Sequence, residues 1–193
     1  SYRPLVVLGS ELPDQIYCSV GSDNFEGGRL AAEHLLRSGR KRILFVGPAE
    51  LPQIDLRLAG YRDALRDAGI AIDDSLILAA HFTGTSAFDQ VHSAITAGVD
   101  FDGVFAASDG IALSAIRALE AAGGCVPRDV SVVGFDDSDI ASQSRPSLTT
   151  IRQNVPQIAA ALVDQLFRRL DGADTRSAVL PVNLVIRDSA PAP

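Results

Sequence analysis

Short, uninterrupted apolar runs alternate with longer amphipathic segments along this chain, and no other feature constrains its fold as strongly. The apolar runs have the length of strands and occupy residues 5–8, 43–46, 76–78, 103–106 and 130–135. Strands that are apolar on both faces need cover on both sides, which a parallel sheet between two layers of helices provides. The pattern therefore predicts an α/β fold whose ligands bind at the carboxyl ends of the strands.

The segments between and after these runs carry apolar residues at helical spacing. They predict helices over residues 24–38, 55–68, 86–96, 109–122 and 155–170. The last of these has a good N-cap in Asn154 and a proline, Pro156, in its first turn. Residues 136–150 predict polar turns, Pro181 divides a final strand over 179–186, and the small, proline-rich tail 189–193 is expected to fray.

Composition excludes several classes of protein. The 193 residues include 17 basic and 24 acidic ones, a net charge of −7, so we expect no grip on nucleic acid or on an anionic membrane. Two distant cysteines exclude a disulfide framework and favour a cytoplasmic location. No apolar run reaches transmembrane length. The chain lacks methionine and begins at Ser1 directly before an apolar strand, which predicts a fragment of a longer protein.

No motif for catalysis or for a cofactor is visible. The sequence contains neither a Gly-Lys-Ser/Thr phosphate loop nor a Gly-x-Ser-x-Gly nucleophile elbow, and its three histidines share no ligand spacing. Asp136 and Asp137 follow a buried strand, where they fit three roles: holding a divalent ion, accepting hydrogen bonds from a neutral polyol, and capping the following turn. We therefore predict binding without catalysis, without a cofactor and without a metal.

Several other side chains stand where a ligand of a parallel sheet binds, and each has a structural alternative. Arg57 begins a helix after a strand and loop, where a guanidinium can fork onto ligand hydroxyls or pair with Asp55 or Asp136. The dipeptide Ser108-Asp109 follows a strand, and both residue types are also ordinary N-caps. Phe82 follows another strand, where an aromatic ring can stack on a sugar or join the core.

Five segments that include most of these residues resemble the effector-binding domain of the lactose-repressor/galactose-repressor family of bacterial transcription regulators. In chain order they read VGSDN at 20–24, RLAGYR at 57–62, AASD at 106–109, VPRDVSVVGFDD at 126–137 and LTTIRQ at 148–153. The last two segments are highly specific together, and the resemblance extends over essentially the whole chain.

The resemblance implies a type I periplasmic-binding-protein-like fold with two Rossmann-like lobes, a small effector between them and a homodimeric assembly. Residues 1–22 and 153–182 would form a partial first lobe, and residues 23–152 and 183–189 a complete second lobe. The helix-turn-helix DNA-binding domain of the family is absent from these residues. The implied function is that of a repressor whose operator DNA binding is controlled allosterically by a sugar or nucleoside-type metabolite.

The effector contacts of the family carry over, position by position, to six residues of this chain: Arg57, Phe82, Ser108, Asp109, Asp136 and Gln153. Gly9 and Ser108 depart from the family pattern, since an acidic residue and an asparagine are common there. Leu51 and Gln53 are expected to help select the effector. Two other functions stay open: a periplasmic sugar-binding transport receptor, and a metal-dependent enzyme of flavodoxin-like topology that uses Asp136 and Asp137.

Overall fold

The computed structural model describes residues 4–49 and 51–192, whose strands form two separate sheets. The smaller sheet contains β1 (Val6–Leu8), β2 (Cys18–Ser22) and β8 (Ala178–Leu180), all parallel, with β2 in the middle. The larger sheet contains β3 (Ile43–Gly47), β4 (Ile77–Ala79), β5 (Gly103–Ala106), β6 (Ser131–Asp136), β7 (Thr149–Gln153) and β9 (Val182–Val185). Its order is β4-β3-β5-β6-β7-β9, and only the β7–β9 pair is antiparallel. The prediction of an α/β fold with parallel sheets is confirmed, with one antiparallel edge strand.

Six α-helices lie within the described ranges: α1 (Asn24–Arg37), α2 (Pro52–Asp67), α3 (Ser86–Thr96), α4 (Asp109–Ala121), α5 (Asp139–Gln143) and α6 (Val155–Leu170). A short 3₁₀ turn at Asp74–Leu76 precedes β4. Helix α1 packs against α2 and the larger sheet, whereas α6 packs against all three strands of the smaller sheet. The chain therefore passes from one sheet to the other three times, after β2, after β7 and after β8.

The structure differs from the sequence-based prediction where strands are polar. The sequence predicts neither β2 nor β7, because both lack a continuous apolar run. In β7, Thr149 and Thr150 are fully buried, and their hydroxyls donate to the Arg187 carbonyl at 3.0 Å and to Asp109 Oδ1 at 2.6 Å. Tertiary hydrogen bonds of this kind allow a polar segment to form an interior strand.

One further segment differs from the prediction, since the polar stretch 136–150 contains the short helix α5 in addition to turns. The final strand is divided at Pro181 as expected, into β8 and β9, and these two strands pair in different sheets. Proline has no backbone N–H to continue a ladder, so it suits this crossing point.

The carboxyl-terminal tail is ordered where it meets the larger sheet, contrary to expectation. Ser189 and Ala190 are fully buried. The Ser189 hydroxyl donates to the Val132 carbonyl at 2.6 Å and accepts from the Thr149 N–H at 2.8 Å. The expected fraying is therefore wrong for these two residues, and Pro193 lies outside the described residues.

Burial is concentrated around the larger sheet, whose strands β3 and β5 are completely buried. Helix α6, on the smaller sheet, buries only Ile158. This contrast agrees with a complete second lobe and a partial first lobe, although residues 1–3 of the predicted first lobe lie outside the described residues. No helix in the described part of the chain is long and apolar enough to cross a membrane.

Candidate functional site

Most of the predicted site residues meet at one edge of the larger sheet. Asp136 ends β6 and Gln153 ends the neighbouring β7, while Ser108-Asp109 follows β5. The carboxyl ends of adjacent parallel strands lie side by side, so this edge is where an α/β sheet presents ligand-binding groups. Phe82 follows β4 on an exposed loop and is 45% exposed.

Arg57 is held deep in the second lobe by three contacts. Its Nε donates to Asn24 Oδ1 at 2.8 Å, its Nη1 donates to the Ala107 carbonyl, and its guanidinium carbon lies 3.5 Å from the centre of the Phe135 ring. The residue is only 5% exposed. Burial lowers the pKa of Arg57 to about 10, against the opposing influence of Asp136 and Asp109, so it stays protonated at neutral pH. Among the described residues, no acceptor bonds to its Nη2.

Two glycines fix the position of the helix that carries Arg57. A Cβ atom on Gly28 of α1 would lie 2.0 Å from the Arg57 carbonyl oxygen, and one on Gly60 of α2 would lie 2.0 Å from the Phe25 carbonyl oxygen. Helices α1 and α2 therefore touch backbone to backbone at this level. The contact places the guanidinium next to Asn24 at the start of α1.

Asp136 occupies an unusual backbone conformation at the end of β6. Its φ is +114° and that of Asp137 is +57°, values that residues other than glycine rarely adopt. Asp137 is anchored by Arg152 Nε at 2.5 Å and Arg187 Nη2 at 2.6 Å. Burial opposes ionisation of Asp137, but the two arginines outweigh it and lower its pKa. The two arginines are called the clamp on Asp137, and their ion pairs help to offset the strain of this backbone. Backbone strain at a strand end is typical of functional sites.

The Asp136 carboxyl group is partly buried and carries an altered acidity. Its Oδ1 accepts from Gln153 Nε2 at 2.7 Å, and no described residue bonds to its Oδ2. Burial raises the pKa of Asp136 to about 6, while Arg57 lowers it and Asp109 raises it. Arg57 and Asp136 form no ion pair among the described residues, so the structural alternative considered for Arg57 is not observed.

Ser108 and Asp109 have structural roles that the sequence alone left open. The Ser108 hydroxyl accepts from the Ile111 N–H at 3.3 Å and caps α4. Asp109 is 1% exposed; its Oδ1 accepts from the Thr150 hydroxyl, and its Oδ2 accepts from the Ser138 N–H at 2.8 Å. Asp109 therefore joins the turn after β6 to β7, and it shapes the edge on which Asp136 stands.

Sequence reasoning missed Asn24, Ser22 and Phe135. Ser22 ends β2, and Asn24 begins α1 two residues later. Because β2 has no continuous apolar run, the hydrophobic pattern did not mark them as residues at a strand end. Phe135 belongs to an apolar run, and its contact with a guanidinium requires the packed structure.

The residues expected to help select the effector lie at the start of the helix that carries Arg57. Leu51 and Gln53, at the start of α2, are both half-buried. A Cβ atom on Gly9 would meet no atom within 4 Å, so the position opposite the second lobe is open space. A cavity of about 180 Å³ lies beside it, lined by Gly9, Ser22, Asn24 and Leu56 among others.

This arrangement can recognise a polyol without a metal or a cofactor. Arg57 Nη2 can donate and Asp136 Oδ2 can accept, which matches the two needs of neighbouring hydroxyl groups. No group of three potential metal ligands occurs within residues 4–49 and 51–192, and the clamp on Asp137 occupies one of the two carboxylates considered for a metal.

Comparison with known proteins gives consistent relatives. Residues 32–190 match the family model of the periplasmic binding protein-like domain. The chain is 36% identical over 190 residues to the HTH-type transcriptional regulator CelR of Thermobifida fusca, covering 97% of this chain and 54% of CelR. It is 33% identical over 193 residues to the HTH-type transcriptional regulator AscG of Escherichia coli, covering 99% of this chain and 57% of AscG.

A solved structure of a CelR–cellobiose complex superposes with a TM-score of 0.90 at 36% identity, covering 95% of this chain and 58% of that one. The chain therefore spans about half the length of the curated relatives it matches.

Proposed function

The chain belongs to the lactose-repressor/galactose-repressor family, and from that membership we propose that it is the effector-sensing part of a bacterial transcriptional repressor. The effector is a sugar or a sugar-like metabolite bound between two lobes, residues 1–22 with 153–182 and residues 23–152 with 183–189. The whole protein acts in the cytoplasm as a homodimer and contacts operator DNA through a helix-turn-helix domain outside these residues. The names of the relatives favour a regulator over a transport receptor.

One observation carries the sugar assignment: a buried guanidinium and a partly buried carboxyl group stand at one sheet edge, and each has a polar atom to which no described residue bonds. Arg57 is fixed through Nε and Nη1, and Asp136 is fixed through Oδ1. Both side chains are oriented before any ligand arrives, so binding costs little side-chain entropy. A vicinal diol satisfies the donor and the acceptor together. We extend the site to Phe82, Ser108 and Gln153, which lie on the same edge or beside it.

The proposed response is a change in the geometry of the two lobes. The chain crosses between the sheets three times, so movement of one lobe against the other is absorbed by three short segments after β2, β7 and β8. An effector that contacts both lobes has a higher affinity for one lobe arrangement and shifts the population towards it. No catalytic step is part of the proposal, since recognition alone produces the response.

Calorimetric titration of the full-length protein tests the proposal, with cellobiose, glucose and ribose as probes. Arg57→Ala should weaken the affinity for the sugar that binds about 10- to 100-fold, because it leaves ligand hydroxyls unpaired. Arg62→Ala is the matched control, since Arg62 lies on the same helix and its one ion pair within the described residues is with exposed Asp74. Operator binding should survive in both variants. Unchanged affinity in a folded Arg57→Ala protein would remove Arg57 from the site.

A further inference from the structure

We propose that Ser22 is a positioning residue that ties both charged groups of the site, Arg57 and Asp136, to the central strand of the smaller sheet. The inference rests on the proposed function for its consequence in sugar binding. Ser22 ends β2, pairs with Leu180 of β8, and is 6% exposed. Ser22 carries no charge. Its hydroxyl and its carbonyl each begin a chain of hydrogen bonds, one leading to Asp136 and the other to Arg57. These two chains are called the first and the second branch.

The first branch runs through the Ser22 hydroxyl. The hydroxyl donates to Gln153 Oε1 at 2.7 Å, and Gln153 Nε2 donates to Asp136 Oδ1 at 2.7 Å. An ionised carboxylate only accepts hydrogen bonds, so Asp136 faces the amide nitrogen of Gln153, and the Ser22 hydroxyl holds the amide oxygen at the other end by donating to it. With the amide in this orientation, Asp136 receives a donor on Oδ1 and keeps Oδ2 for a ligand hydroxyl.

The second branch runs through the Ser22 carbonyl. Asn24 Nδ2 donates to it at 3.0 Å, and the same amide accepts from Arg57 Nε through Oδ1 at 2.8 Å. Asn24 Nδ2 also lies 3.4 Å from the hydroxyl of Ser10, which follows β1. Asn24 therefore connects Arg57 to the smaller sheet by hydrogen bonds.

The two branches give a physical route from lobe geometry to ligand affinity. Ser22 stands at one of the three crossings between the sheets, and Gln153 stands at another. A lobe movement that separates these two crossings would stretch the Ser22–Gln153 hydrogen bond and release the amide that holds Asp136. Gln153 accordingly acts on Asp136 as a positioning residue, and the second hydrogen of its Nε2 stays available to a ligand.

An NMR titration of side-chain carboxyl groups in the full-length protein tests the first branch without any sugar. The Asp136 signal, assigned by its loss in Asp136→Asn, should titrate near pH 6 in the native protein. Burial, Arg57, Asp109 and Gln153 all act on this group, and the Gln153 hydrogen bond lowers its pKa. Ser22→Ala frees the amide, so the midpoint should move to higher pH. Gln153→Leu breaks the same link from its other end and should move the midpoint in the same direction.

Two variants separate positioning from simple loss of a buried hydroxyl. Ser22→Thr keeps the hydroxyl and should restore the native midpoint. Ser19→Ala removes a buried hydroxyl from the same strand, and this variant should leave the midpoint unchanged. Among the residues that the structure describes, the Ser19 hydroxyl bonds to Gln15 and Ser177, both in the smaller lobe. An Asp136 midpoint that is the same in Ser22→Ala as in Ser19→Ala overturns the proposal.

Cellobiose titration of the same variants distinguishes the inference from the function on which it rests. In a protein that binds cellobiose, Ser22→Ala should weaken the affinity about fivefold, as expected for a hydrogen bond that orients a ligand contact, and Ser19→Ala should not. A shifted Asp136 midpoint in a protein that binds none of cellobiose, glucose and ribose supports the positioning role and counts against the sugar-sensing function.

Discussion

The two sheets are built from the same kind of strand–helix repeat but differ sharply in burial. On the larger sheet, α4 buries seven of its 13 residues, including Ile111, Ile116 and Leu119. On the smaller sheet, α6 buries one of its 16 residues, and Phe167 is 62% exposed. Leu8 of β1 is 66% exposed on the same lobe. The described residues therefore leave much of the apolar surface on this side of the molecule uncovered.

The contrast shows that a helix can be specified locally even where the described residues cover little of its surface. Helix α6 has its N-cap, since Asn154 Oδ1 accepts from the Gln157 N–H at 3.2 Å, and it has a proline in the first turn. Several apolar residues of this helix are exposed, and soluble proteins seldom leave a large apolar surface uncovered. The exposed residues are Val155, Val163, Leu166, Phe167 and Leu170. Local signals thus determine the helix, and tertiary packing determines its burial.

The largest expected effect compares one phenylalanine from each sheet. Phe105 is fully buried on β5, with its ring 5.4 Å from that of Phe45, so Phe105→Ala should lower the free energy of unfolding by about 3–5 kcal/mol. Phe167→Ala should change it by less than about 0.5 kcal/mol, because that side chain lies on the surface. Urea denaturation of the 193-residue chain, followed by circular dichroism, measures both.

Equal losses in the two phenylalanine variants would contradict this contrast. They would indicate that the exposed face of α6 is covered in solution by a second copy of the chain. Repeating the denaturation over a range of protein concentrations identifies that case, because self-association makes the midpoint depend on concentration.

An intermediate effect compares two serines that tie distant segments together. Ser189→Ala leaves the Thr149 N–H and the Val132 carbonyl unpaired in a fully buried site, which should cost about 2 kcal/mol. Ser177→Ala removes a half-buried hydroxyl next to the smaller sheet, where water can replace it, and should cost about 0.5 kcal/mol. Thermal unfolding of the two variants measures the difference in stability. A greater loss in Ser177→Ala would contradict the expectation that hydrogen bonds around the larger sheet contribute more to stability.

Hydrophobic patterning predicted most of the larger sheet, because its strands are continuous apolar runs that need no knowledge of their neighbours. It failed for β2 and β7, whose serine and threonine residues depend on partners such as Gln153 and Asp109. It also failed for Ser189, which is buried by a strand far away in sequence. Polar residues become interior only through partners distant in sequence, and a single sequence does not display those partners.

The candidate site was predicted to a similar extent. Asp136 and Arg57 could be selected because they follow strands, and the family resemblance indicated their joint role. The contacts that orient these two side chains could not be predicted. The amide of Asn24 orients Arg57, and the amide of Gln153 orients Asp136. The positive φ of Asp136 occurs beside Asp137, which two arginines hold in place. Spacing along the chain carries no information on which amide faces which charge.

The smallest expected effect is the change of sugar affinity with pH, and it compares an acidic residue from each side of the proposed site. Burial raises the pKa of Asp136 to about 6, whereas on the opposite side the cavity beside β1 and β2 is lined by Glu11. A hydroxyl donates more strongly to a carboxylate than to a carboxylic acid. Affinity for the bound sugar should therefore fall about fivefold as the pH drops through 6, and the bound sugar should in turn lower the pKa of Asp136.

Stability should respond to acid in the opposite direction, which separates binding from unfolding. The folded-state pKa of Asp136 lies above its ordinary value of 3.8, so its contribution to stability is fully present below about 3.8 and is lost as the pH rises through about 6. Weaker binding near pH 5 thus cannot come from destabilisation by this group. Asp136→Asn should abolish the pH dependence of affinity and Glu11→Gln should preserve it, as calorimetric titrations between pH 5 and pH 8 would record. A pH dependence lost only in Glu11→Gln would assign the acid response to the smaller lobe.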